Sequence, residues 1–166
     1  MSEAGSPTAA SPKAASLWAY ALDVYGRPGA EARFLALQDA HGQSVCFLVW
    51  CLWMAAVGRS ADAATLEAGA ALAKSWEAAA VAPLRRLRRD LKTSPAGPAQ
   101  RRERLRAAVR QLELQAERML LEMLEDVSPP ATGAALPAAD ALRRAAAVFG
   151  GDAPAAGLAA VAALVS

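Results

Sequence analysis

The chain predicts an all-α protein, a single-domain bundle of about five to six helices around one central apolar helix. Three observations carry this, and the first two are an apolar content of 55% with alanine prominent in it, and the absence of isoleucine and of any sustained strand-like alternation. The third is residues 45–58, "VCFLVWCLWMAAVG", which are apolar all round and bounded by Ser44 and Gly58. A helix with no polar face belongs in the middle of a bundle, covered on several sides. Its apolar span of roughly 20 Å is short of the ~30 Å hydrocarbon layer, so no membrane span is expected. At 166 residues the chain suffices for one domain with a real core.

Residues 1–15 read as a disordered leader rich in Ser, Pro and Ala, with no apolar run that could serve as a signal-peptide core. The bundle domain is placed at 16–127. Its first helix runs from about Ser16 to Tyr25, with Trp18, Leu22 and Tyr25 as the inner stripe, and stops at Gly26 ahead of Pro28. The second reaches from Pro28 to His41, burying Phe34 and Leu37, with Gly42 suited to the left-handed position past its end. In the third, the central one, Cys46, Trp50, Trp53 and Val57 form one packing seam and Phe47, Cys51 and Met54 another. Ser60 is the expected cap of the fourth, with Leu66, Ala70, Ala73, Trp76 and Ala80 inward and Gly69 costing about 1 kcal/mol against alanine. Pro83 is read as a kink, because Leu84, Leu87 and Leu91 continue the stripe. "KTSPAGP" at 92–98 makes a turn, and a long helix follows to Asp126, with Leu105, Val109, Leu112, Ala116, Met119 and Met123 as a heptad seam. Residues 128–166 form an alanine-rich tail of short helices whose order depends on packing.

Candidate chemistry is sparse. His41 is the sole histidine, and with Cys46 and Cys51 it stands at a spacing unlike zinc ligand pairs, so it reads as a residue of a helix's last turn. The two cysteines read as small buried hydrophobes in a reducing, cytoplasmic setting. No phosphate loop, nucleophile elbow or paired-histidine motif occurs, so no cofactor, metal or catalytic residue is assigned. A pocket for an apolar ligand near Trp50 and Trp53 is a minor alternative.

Charge distribution is more informative. Between Pro83 and Arg110 ten cations face two acids, a local net of +8, so the rest of the chain carries −6 of an overall +2. If the helices flanking the 92–98 turn fold back on each other, these cations gather towards one tip. The partner-binding set is Arg85, Arg86, Arg88, Arg89, Lys92, Arg102, Arg106 and Arg110. The leading expectation is a non-catalytic protein-protein interaction or adaptor module that docks an acidic protein surface through this tip, through the 98–126 helix, or both. Sequence-independent RNA binding by the same arginines is the alternative, because the segment lacks interleaved aromatics for reading bases. Homo-oligomerisation through the 98–126 helix is a further possibility.

Leu17-Trp18, Tyr25 with Pro28-Gly29, Leu37-Gln38-Asp39 with His41-Gly42, the Trp53 helix and Pro83-Leu84-Arg85 together resemble a proteobacterial family of small helical proteins known as a domain of unknown function. The resemblance covers residues 16–92. It implies a helical fold and a bacterial cytoplasmic setting, and it brings no activity with it.

Overall fold

The computed structural model describes residues 16–133 and 135–165, so the leader assigned to 1–15 lies outside the described residues. Helices α1 (Leu17–Tyr25), α2 (Ala30–His41), α3 (Val45–Ala56) and α4 (Ala63–Trp76) come first; α5 (Ala82–Thr93), α6 (Ala99–Asp126), α7 (Ala138–Phe149) and α8 (Ala155–Ala162) follow. A π-helical turn, Glu77–Val81, joins α4 to α5, so the eight segments form seven rods, more than the five or six expected. No strand occurs among the described residues.

The expected central helix is central. Ser44 caps α3 by accepting from the Phe47 amide, and all of Val45–Ala55 is buried. Around it pack α1, α2, α4, α6 and α7. Trp50 is fully buried, its indole N–H donating to Ser128 Oγ at 2.8 Å, which satisfies the one polar group the ring brings inside. Gly69 has its explanation here: a Cβ at that position would lie 2.3 Å from the Trp50 ring, so α4 can approach α3 only with glycine at the crossing. The helix penalty of Gly69 is thus offset by aromatic packing.

Other local expectations are adjusted. Asp62, not Ser60, caps α4, accepting from the Thr65 amide. Pro83 sits in the first turn of α5, directly after the π-helical turn. A proline lacks the N–H and crowds the preceding turn, and the wider π turn lets the rod pass through without a break. Gly42 does adopt the left-handed conformation after α2, with φ 62°.

Two helices depart from the register that hydrophobic spacing suggests, α1 throughout and α6 at every second position of its seam. In α1 the core takes Leu17, Tyr20, Ala21 and Val24, while Leu22 and Tyr25 are exposed and Trp18 is half-buried. The buried line is offset by one residue, about 100° of helix rotation. In α6 half of the expected seam is inward, with Val109 and Ala116 buried and Met123 packed on the core, and Glu113, Leu120, Leu121 and Leu124 join them, whereas Leu105, Leu112 and Met119 stay 52%, 51% and 51% exposed. The buried line passes through a glutamate, which apolar spacing alone rejects.

The alanine-rich segment after residue 127 contributes to the same core. Leu142 and Ala145 of α7 and Val161 of α8 are fully buried, and the Phe149 ring lies 5.3 Å from Phe47. Arginines fasten these helices by donating to backbone carbonyls: Arg27 to Leu164, Arg33 to Ala160 and Arg144 to Ala61. Alanine helices too short to stand alone in water gain order from such packing.

Candidate functional site

The α5–α6 hairpin turns at residues 94–98 and carries the cations, several of which are taken up in ion pairs within the chain. Arg85 and Arg88 point inward. Arg85 Nε and Nη2 donate to Glu113 Oε1 and Glu117 Oε1, both at 3.0 Å, and Arg88 Nε donates to Glu113 Oε2 at 2.5 Å. Glu113 is buried, so the α5–α6 contact is built on a desolvated carboxylate held by two guanidinium groups. Burial opposes its charge, but the hydrogen bonds from Arg88 and Arg85 prevail and hold Glu113 below the usual carboxylate range.

The network continues to Glu77 in the π turn, which accepts from the Ser44 hydroxyl. Burial raises both Glu77 and Glu117 above the usual range, with Arg85 opposing the rise in each. Three carboxylates, Glu77, Glu113 and Glu117, therefore gather around two guanidinium groups. One hydroxyl cap of the central helix, the π turn and the hairpin are tied into one polar unit.

Of the eight residues expected to bind a partner, Arg85 and Arg88 are consumed by this network. Arg89 pairs with Asp39 at 3.1 Å, Arg106 pairs with Glu103 at 2.8 Å, and Arg102 donates to the carbonyls of Ala96 and Gly97. Arg86, Lys92 and Arg110 are exposed, as are Arg101 and Arg104, which the sequence reading left out of the set.

Neither Trp50 nor Trp53 lines either of two cavities that flank α3. A cavity of about 20 Å³, lined by Cys51, Met54, Arg59 and Leu66 among others, has room for roughly one water. The larger cavity is elsewhere: about 230 Å³ between α1, α3 and α6. Trp18, Leu22 and Tyr25 line it on α1, Val45, Cys46 and Val49 on α3, and Leu114, Glu117 and Leu121 on α6. The α1 stripe misplaced in the core is thus the wall of a groove. The signal for it was present in the sequence, because α1 is apolar on two faces and only one can meet the core. The Cys46 thiol, pushed well up by burial and next by Glu117, is held protonated, and Cys51 is likewise raised by burial. Neither is poised as a nucleophile.

His41 lies in the last turn of α2. Among the described residues no group of three His, Cys, Asp or Glu is placed to hold a metal ion. None of the described helices is long and apolar enough to cross a membrane.

A family model described as "Protein of unknown function (DUF2390)" matches residues 16–124, well over half of the chain. The chain belongs to this family. The match runs beyond residue 92, where the resemblance in the sequence had ended, and takes in most of α6. In this DUF2390 protein the matched region thus holds Ser44, Glu77, Arg85, Arg88, Glu113 and Glu117, and every residue lining the groove. No curated protein and no solved structure matches the chain.

Proposed function

We propose that this protein is a non-catalytic interaction module that docks an acidic, helical protein partner along its α5–α6 hairpin. The observation that carries this is the line of Leu105, Leu112 and Met119 on α6, spaced by seven residues and about half exposed. Seven-residue apolar spacing is the pattern by which one helix receives another. Arg101, one turn before Leu105, and Arg104 beside it are exposed, and the paired helix adds Arg86 and Lys92. An apolar centre with a cationic rim fits a partner helix with an apolar stripe flanked by Asp and Glu. The rim would set association rate and salt dependence, and the leucines the lifetime of the complex.

Capture from a bacterial lysate, with and without nuclease, tests this with three baits: the wild-type chain, a Leu105→Asp/Leu112→Asp variant and an Arg86→Glu/Lys92→Glu/Arg101→Glu/Arg104→Glu variant. A protein retained after nuclease by the wild type and lost from both variants is the expected result. Bound nucleic acid, released by nuclease and weakening with salt at a log-log slope of about −0.7 per phosphate, would replace the reading with RNA binding. Light scattering showing a stable dimer that the leucine variant abolishes would instead assign the stripe to a second copy.

A further inference from the structure

The groove between α1, α3 and α6 lies apart from the hairpin surface and has a chemistry of its own. Its walls are apolar, with Trp18 and Tyr25 on one side and Val49, Leu114 and Leu121 on the others, and Glu117 is the one charged residue lining it. The Glu117 side chain is 32% exposed, and Arg85 engages its Oε1, leaving Oε2 for a ligand. Behind it, among the described residues, the cluster of Glu77, Glu113 and Glu117 has Arg85 and Arg88 as its cations, one positive charge short of three carboxylates. Arg118, which lies over the Trp18 ring, cannot fill the deficit because Glu122 already holds it at 2.8 Å.

We propose that this groove is a binding site for a small primary amine carrying one apolar ring or a short alkyl chain, with its ammonium on Glu117 and its apolar part against Trp18, Tyr25 and Leu121. An ammonium supplies the missing charge beside Glu117, and the apolar part lies against the ring walls. The size is set by the space: an apolar cavity of about 150 Å³ takes a benzene ring, so 230 Å³ takes a ring with a short chain.

Calorimetric titration of the full chain with phenethylamine, 2-phenylethanol and phenylpropionate tests the class. The amine binds at least about tenfold more tightly than the alcohol, the margin a charge-assisted hydrogen bond supplies, and the carboxylate binds most weakly. Glu117→Gln removes the preference of amine over alcohol while circular dichroism shows the helices intact. Leu114→Trp, at a half-exposed apolar position of the lining that takes no part in the ion pairs, fills the groove and weakens amine and alcohol together. Absence of amine binding to the wild type, equal affinity for amine and alcohol, or an amine preference that survives Glu117→Gln each overturns the proposal.

Discussion

The α3 core and the α5–α6 hairpin are held together by opposite means. Around α3, stability comes from apolar area: eleven consecutive buried residues, two of them tryptophans, and a glycine cut to fit one of those rings. In the hairpin, α5 buries no residue completely, and its attachment to α6 rests on Arg85 and Arg88 meeting Glu113 and Glu117. Apolar contacts are non-directional, so many neighbouring packings serve. Buried ion pairs demand one geometry and are strongly destabilising when half of the pair is removed. The hairpin is accordingly the part of the molecule whose register is fixed by charge, and that fixing leaves Leu105, Leu112 and Met119 outward.

The largest expected effect lies in the core. Trp50→Ala removes a fully buried ring and the indole N–H that Ser128 accepts from, and should cost about 3–5 kcal/mol in urea unfolding. Glu113→Ala comes next. It leaves two guanidinium groups short of their acceptor and should cost about 2–4 kcal/mol, less than a fully buried pair because Arg85 keeps Glu117 and Arg88 reaches solvent. If Glu113→Ala were neutral, the contrast between the two regions would disappear. Gly69→Ala should cost about 1–3 kcal/mol despite alanine's better helix propensity, because the methyl meets the Trp50 ring.

A smaller effect separates the glutamates by the sign of their pH dependence. Glu113 is depressed in the folded state, so its contribution is present above the unfolded carboxylate pKa and is lost as pH falls through the folded value. Glu117 is raised, so its ionisation costs stability as pH rises through the unfolded pKa towards the folded one. Unfolding curves collected from acid to neutral pH should therefore show Glu113→Gln growing more destabilising relative to wild type as pH rises. Glu117→Gln should trend the other way. Parallel trends would mean that the two carboxylates share one environment.

How much of this was legible beforehand follows the same division. The central helix, its Ser44 cap and the turn before α6 are encoded locally, by a run of apolar residues, a hydroxyl before it and a Pro-Gly-Pro cluster, and the structure has each in place, the turn beginning two residues later than expected, at 94. The faces of α1 and α6 are not local. Choosing Leu112 over Glu113 as the inward residue is correct for an isolated amphipathic helix, and it fails because Arg85 and Arg88, some 25 to 28 residues earlier, make the glutamate's burial tolerable. The arginine run showed an excess of charge in the sequence, but not that two of its members would be used internally. The groove was hidden for a similar reason: its lining comes from three helices, and nothing in the spacing of any one of them announces a gap. Only the second apolar face of α1 hinted at it.

The docking surface requires one particular face of α6 to be free, and a pair of aspartate substitutions decides that. Leu112→Asp, at a residue 51% exposed, should unfold in urea within about 0.5 kcal/mol of wild type, whereas Leu120→Asp, at a fully buried residue eight positions on, should prevent cooperative folding. A Leu112→Asp chain that fails to fold as a monomer, or a Leu120→Asp chain that folds normally, would contradict both the register of α6 and the docking surface built on it.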